Sequence, residues 1–377
     1  MHFDLDEEQQ ELRRSARRFL REQATSDAVR RWIATDDVLD GTLWRRITED
    51  LGWTGFVIPE TFGGFGFSWL ELSLVLEECG RALLPAPLWA TCALGAGTIL
   101  AHGDESQKAS LLPEIAAGTT VATLALTEAG GQWDTKNIQT TFQKDGDSWR
   151  LNGTKTYVPW AHKAGLILVV ARDESGAIGV FAVPASTSGV HVKRLATMDM
   201  TCPQGEVVLN DVTLPADAKL CGADHDEEAL REVLHRAAIL LSSELVGVAE
   251  ASMDIAVDYA KQRVQFGKPI GTFQAIKHKC ANMLMMVEAA RSATWYAAWE
   301  AAQSDANLAE TAHITKGYTS DIAYRITADL IQILGGIGIT WEHDAHLYFK
   351  RARASAALLG NTAQHREALY NDIIAAG

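Results

Sequence analysis

The sequence has no block of lysine and arginine, no C-x-x-C pair and only 9 prolines in 377 residues. Each absence excludes something. With 48 acidic side chains against 34 basic ones, a formal net charge of −14, the chain offers no basic face on which to track a phosphate backbone, which argues against nucleic-acid binding. The five cysteines, Cys79, Cys92, Cys202, Cys221 and Cys280, are an odd number without metal-site spacing and read as free, buried thiols. No run approaches the about 20 apolar residues that a membrane span requires. The opening MHFDLDEEQQ has neither a basic n-region nor an apolar h-region, so no signal peptide and a cytoplasmic location are expected. The signatures G-x-x-x-x-G-K-[ST], G-x-S-x-G and H-E-x-x-H are also missing.

What is present is enough apolar content, 47%, to bury a large core in two or three domains. The texture changes twice along the chain. From Asp4, where Asp4 and Glu7 form a D-x-x-E start signal, to residue 118 the pattern is helical, with Leu5, Leu12, Ala16, Phe19 and Leu20 on one face. From 119 to 222, short apolar runs such as Val121 to Leu126, Leu166 to Ala171 and Ile178 to Val183 are punctuated by Gly, Asp and Asn, the signature of a small antiparallel β domain. From 223 to 377 helices return, beginning with a long apolar stripe between about Asp226 and Arg263 that suits a helical bundle. The expected fold is therefore α+β: domains 1–118 (helical), 119–222 (central antiparallel β) and 223–377 (carboxy-terminal helical bundle). Without βαβ alternation, a doubly wound sheet is not expected. Gly335-Gly336-Ile337-Gly338 fails as a dinucleotide fingerprint because Trp341 stands where the last Gly is needed and a helix precedes it. His343 and His346 lack a further His or Cys cluster, so a hydrogen-bonded helix start is favoured over a metal site.

Five separated segments carry the functional signal. LGWTGFVIPETFGGFGFSWLELSLVLEECGR (Leu51 to Arg81), LALTEAGGQWD (Leu124 to Asp134), LNGTKTYV (Leu151 to Val158), YAKQRVQFGKPIGTFQAIKH (Tyr259 to His278) and QILGGIGIT (Gln332 to Thr340) resemble, in order and spacing, the acyl-CoA dehydrogenase family of flavoproteins. QFGKPIGTFQAIKH, TWEHDAHLYFKRA and the TAQHR ending are similar to bacterial members associated with sterol or ring-containing acyl-CoA breakdown. The resemblance implies FAD as cofactor, an acyl-CoA substrate and an electron-transfer flavoprotein or similar acceptor. It also implies a role for each matching residue. Leu126 and Thr127 would line the flavin, Tyr157 would flank its ring, and Trp133 would lie at the pyrophosphate loop. Arg263, Gln265, Phe266, Phe273, Gln274, Gln332, Gly335 and Gly336 would reach the adenosine half of a neighbouring subunit's cofactor, which implies a homotetramer or a heterotetramer with a related subunit. Taken alone, Gly335-Gly336 reads equally well as a helix C-cap.

The departures concern the chemistry. The family's usual catalytic Glu falls on Leu359, which cannot take a proton, although its backbone N–H remains available to a thioester carbonyl. The alternative base position of some branches is Ala237, and Ala238 stands where an Arg often lies near substrate. Seven residues beyond Ala237, Glu244 sits among Leu241, Leu245 and Val248. A carboxylate on an apolar stripe is costly unless paired or functional, so Glu244 is the candidate base, with an arginine pair as the alternative role. Pro159 replaces a Thr that donates to the flavin, and Gly131-Gln132-Trp133 enlarges the phosphate loop. A bulky or branched acyl group is the expected substrate. A non-catalytic or half-site partner subunit of a mixed tetramer is the alternative, with a flavin monooxygenase or oxidase on the same fold behind it.

Overall fold

The computed structural model describes residues 5–223, 225–303 and 307–376. Its helices are α1 (Glu7–Gln23), α2 (Ser26–Ile33), α3 (Gly41–Arg45), α4 (Trp69–Arg81), α5 (Gly97–His102), α6 (Glu105–Ala116), α7 (Asp226–Gln262), α8 (Gln274–Gln303), α9 (Leu308–Leu334), α10 (Ala345–Ala357) and α11 (Thr362–Ala376). The strands are β1 (Ala122–Ala125), β2 (Thr141–Asp145), β3 (Ser148–Pro159), β4 (Leu166–Arg172), β5 (Ile178–Pro184), β6 (Val190–Arg194), β7 (Gln204–Pro215), β8 (Val264–Gln265) and β9 (Lys268–Pro269). The chain order is helical segment, β domain, helical bundle, the expected α+β architecture. In space the elements gather into two compact units, one of Met1–Asp36, Trp69–Pro85 and Ala238–Gly377, the other of Asp37–Ser68 and Ala86–Ala237.

The first unit is helical. Asp4 lies outside the described residues; the start of α1 is instead a capping box in which Asp6 accepts from the Gln9 N–H and Gln9 accepts from the Asp6 N–H. Within this unit α1 packs on α4, α4 on α8, α8 on α9, and α9 on α10 and α11. α7 was expected to carry a stripe, but from Ala237 to Ala249 it is buried at every position, Ser242, Ser243 and Glu244 included. Two glycines bring α4 and α7 together backbone to backbone. A Cβ on Gly80 would stand 2.0 Å from the Glu244 carbonyl oxygen, and one on Gly247 would stand 1.8 Å from that of Glu77.

An ionic network crosses the same helices. Glu77 accepts from Arg13 (2.7 Å), Arg291 (3.0 Å) and the Trp295 indole (2.9 Å). Glu250 meets Arg17 (2.8 Å), Arg81 (2.9 Å) and Arg291 (3.1 Å), and Glu78 pairs with Arg17 at 2.8 Å. Burial pushes Glu78 above the ordinary carboxylate value; Glu250 is also raised by burial, but the surrounding guanidinium groups bring it below. One stretch, Leu308–Ile339, is long and apolar enough by length and composition to cross a membrane, contrary to the sequence expectation. Of its apolar window 44% is buried, and α9 lies against α8, α10 and α11.

The second unit is built on a seven-stranded sheet ordered β1-β4-β2-β3-β7-β6, with β5 on the other side of β4. Its core includes Leu151, Ile167, Val169, Phe181 and Val207. The pairings are antiparallel except β1 with β4 and the single Thr141–Arg172 pair of β2 with β4. β1 and β4 can run parallel because the β2–β3 hairpin separates them along the chain. β2 and β6 were not expected. β2 buries only Phe142, and in β6 the alternation is confined to Val190 and Val192, which are half-buried against the core.

Among the cysteines, Cys79 and Cys92 are buried as expected, whereas Cys221 is exposed, its thiol 3.3 Å from an Asp104 carboxylate oxygen.

Candidate active site

In the second unit, Leu126 and Thr127 follow directly on β1, and both are buried. Their backbone is fixed from β3. The Thr156 N–H donates to the Thr127 carbonyl at 2.9 Å, and the Thr127 hydroxyl returns a bond to the Thr156 carbonyl. Beneath them, the wholly buried Lys155 donates from Nζ to the Leu126 carbonyl at 3.1 Å and to Glu128 Oε1 at 2.8 Å. Glu128 accepts in addition from the Thr140 N–H (2.9 Å), the Thr140 hydroxyl (2.7 Å) and the Gln139 N–H (2.8 Å). Burial would raise this carboxyl, but hydrogen bonds from Lys155 and Thr140 hold it below its ordinary value, while burial pushes the Lys155 ammonium down to about 8.

This network joins the T-E of one sequence segment to the K of another, a link the sequence reading missed. A signal existed: counting by two from buried Leu151 along β3 leads through Gly153 to Lys155, a lysine at an inward position. Tyr157 is 43% exposed with a left-handed φ of 55°, and a Cβ on Gly131 would lie 3.7 Å from its ring. Trp133 is half-buried in the loop after Gly131. The structure thus assembles Leu126, Thr127 and Tyr157 around one strand end. Pro159 accepts through its carbonyl from the Thr123 hydroxyl at 2.7 Å.

In the first unit the remaining residues lie on the surface. β8 and β9 form a hairpin whose two-residue turn, Phe266-Gly267, has φ of 53° and 77°, the geometry of a tight primed turn. Phe266 is 92% exposed and meets Phe273 edge-on at 6.1 Å. Arg263, Gln265 and Gln274 are exposed, as is Gln332 on the last turns of α9. An ion pair between Lys279 and Asp329 ties the start of α8 to that end of α9. Gly335 ends α9 with φ 66° and ψ −138°, a conformation that side chains resist, and neither it nor Gly336 has an atom within 4 Å of a built Cβ. The pair thus ends the helix, and the space over it is open.

Glu244, also in the first unit, is buried and accepts from Arg351 Nη1 at 3.1 Å, and Arg351 Nη2 donates to the Leu84 carbonyl at 3.3 Å. The carboxylate therefore faces an arginine of α10. Leu359 follows α10, buried, with a left-handed φ of 60°, and Gly360 continues at 98°. A leucine with positive φ is strained and persists only where its surroundings impose it.

Among the described residues, the one carboxylate group close enough to hold a metal is Glu77, Glu78 and Glu250. The arginines around it already supply the positive charge. The His343 Nδ1 accepts from the Ala345 N–H at 3.1 Å, and His346 stacks on Trp341 with ring centroids 4.6 Å apart.

The acyl-CoA dehydrogenase N-terminal domain matches residues 6–119, its middle domain 123–212 and its C-terminal domain 228–374. Acyl-CoA dehydrogenase IpdE2 of Mycobacterium tuberculosis is 33% identical over 353 residues, 94% of this chain and 93% of that protein. Butyryl-CoA dehydrogenase from Megasphaera elsdenii superposes with a TM-score of 0.91 at 30% identity, covering 99% of this chain and 100% of the other. A variant of the Tcur3481-Tcur3483 steroid acyl-CoA dehydrogenase does so with a TM-score of 0.87 at 32% identity, covering 98% of each chain. With its fold and all three of its segments matched, the chain belongs to the acyl-CoA dehydrogenase family.

Proposed function

We propose that this chain is an FAD-binding acyl-CoA dehydrogenase subunit that oxidises the α,β bond of a bulky or branched acyl-CoA, of the sterol side-chain or ring-containing class, to the 2-enoyl-CoA. The observation that carries the reading is the fixed strand end. Lys155, Glu128 and Thr156 hold the Leu126–Thr127 backbone rigidly where a flat cofactor needs a wall. FAD, when bound, supplies the acceptor for the β hydrogen as hydride. Leu126, Thr127 and Tyr157 line its ring, and Trp133 borders the pyrophosphate. The surface residues Arg263, Gln265, Phe266, Phe273, Gln274, Gln332, Gly335 and Gly336 serve the adenosine half in a neighbouring copy or related subunit. Exposed Arg263 and the open space over Gly335 suit a polyanionic ligand. The left-handed Leu359 presents its N–H to the thioester carbonyl. The acyl class rests on the 32% identity to the steroid enzyme.

Glu244 is assigned the α proton. Its bond with Arg351 favours a second reading, because a guanidinium stabilises the ionised carboxylate and so weakens it as a base. In that reading Glu244 is a fixed counter-charge, and a related subunit of a mixed tetramer contributes the base. One experiment separates the two. The purified protein should carry flavin, and an anaerobic sterol-side-chain acyl-CoA should bleach it. Glu244→Gln should keep the flavin and abolish bleaching. Bleaching at the wild-type rate in that variant removes Glu244 as the base, and a colourless protein that gains flavin only on co-expression with a related subunit establishes the second reading. Electrons should then pass to an electron-transfer flavoprotein or a similar acceptor.

A further inference from the structure

We propose that Lys316 is a positioning residue for thioester recognition, its buried side chain holding the turn that aims the Leu359 N–H at the substrate carbonyl. The inference rests on the reading above, in which that N–H meets the thioester. Lys316 lies on α9 with 0% of its surface exposed. Its Nζ donates to the Ser320 hydroxyl at 3.0 Å, the Gly360 carbonyl at 3.3 Å and the Ala356 carbonyl at 3.5 Å. Every one of these partners is a neutral oxygen. A lysine buried among neutral acceptors is costly, and burial pushes its ammonium down to about 7.

The placement shows what that cost accomplishes. Ala356 lies in the last turn of α10, whose carbonyl end attracts a cation. Gly360 lies beyond Leu359, so the two carbonyls bracket the strained residue, one on each side. The far end of the turn is held from the same face of α9. The Thr362 hydroxyl lies 2.9 Å from Asp321 Oδ1 and 3.3 Å from the Gly317 carbonyl, and Arg366 pairs with Asp321 at 2.7 Å. Asn361 caps α11 by accepting from the Ala363 and Gln364 N–H groups at 3.0 and 3.1 Å. Lys316 is the group of this set that reaches the carbonyl next to Leu359. Without it the Gly360–Asn361 peptide keeps the bond from its N–H to Gln364 Oε1 at 2.8 Å but loses the one to its carbonyl, which lets Leu359 relax from φ 60° and turns its N–H away.

The test uses flavin-loaded protein and crotonyl-CoA carrying 13C at the thioester carbonyl. In the wild-type protein the infrared carbonyl stretch of the bound probe should move to lower frequency than in water. Lys316→Met, which keeps length and removes the donors, should retain flavin, lose more than half of that displacement and bind the probe about 10-fold more weakly. Lys316→Gln, which keeps a neutral NH2 group as donor, should fall between. A full displacement in the methionine variant overturns the role of Lys316 while leaving the Leu359 reading intact. No displacement in the wild-type protein overturns the Leu359 reading and the proposal with it. Failure of both variants to fold with flavin assigns Lys316 to the core alone and also overturns the proposal.

Discussion

At the scale of single residues, the informative side chains are charged groups placed where apolar ones are expected. Glu244 was legible in the sequence because an acid interrupts an apolar run. Its partner was not, since Arg351 lies 107 positions away in the chain and only folding brings α10 to α7. Lys316 and Lys155 were hidden for a different reason. A lysine in a helix or strand ordinarily reads as a solvated position; nothing local to AHITKGYTSD marks Lys316 as buried, and in LNGTKTYV the inward place of Lys155 does not tell that its ammonium ends on the Leu126 carbonyl. Leu359 was legible as a departure at the base position, but its left-handed backbone was not, since leucine carries no preference for it. The Glu244–Arg351 pair yields a stability expectation. Arg351→Met takes the guanidinium from a buried carboxylate and should cost about 3–5 kcal/mol, read as a lowered urea midpoint at unchanged slope. Replacing Glu244 as well, by Leu, should recover much of the loss.

At the scale of elements, contacts between backbones decide where the helices run. α4 and α7 meet at Gly80 and Gly247, where a methyl group would enter the carbonyl oxygen of the facing helix. Gly247→Ala should therefore force the helices apart and cost about 1–3 kcal/mol, lowering the thermal midpoint, whereas Gly41→Ala, with nothing within 4 Å of its built Cβ, should show no such packing penalty. α7 was read as a long helix from its apolar content, and its bounds, Asp226–Gln262, lie close to the stretch expected. The β domain was legible where strands are buried on both faces, as in β4 and β5. It was illegible in β2, where only Phe142 is buried, and in β6, where the alternation is limited to Val190 and Val192. The β8–β9 hairpin went unread because two-residue strands carry no periodicity, although Phe266-Gly267 holds both positive φ angles of its turn.

At the scale of the whole molecule, the two buried lysines make stability depend on pH in a definite direction. Burial lowers Lys316 to about 7 and Lys155 to about 8 from an ordinary 10.5. Between those values and 10.5 the unfolded chain holds more protons than the folded one, so stability rises with pH across that window. The urea midpoint should be higher at pH 9 than at pH 7, and Lys316→Met should show a smaller rise. An equal rise in the variant would mean that Lys316 does not titrate in this range. The formal charge of −14 is unevenly drawn on, because Arg13, Arg17, Arg81 and Arg291 are committed to the carboxylates of the helical unit.

Among the described residues, every hydrogen bond that reaches the Leu358–Asn361 turn from outside comes from between Lys316 and Arg366. The grip proposed for the thioester is thus a module contained in three consecutive helices. Mutational drift elsewhere in the chain can alter which acyl group is accepted while this module is inherited unchanged, and two gene copies could diverge in substrate while keeping a common hold on coenzyme A esters.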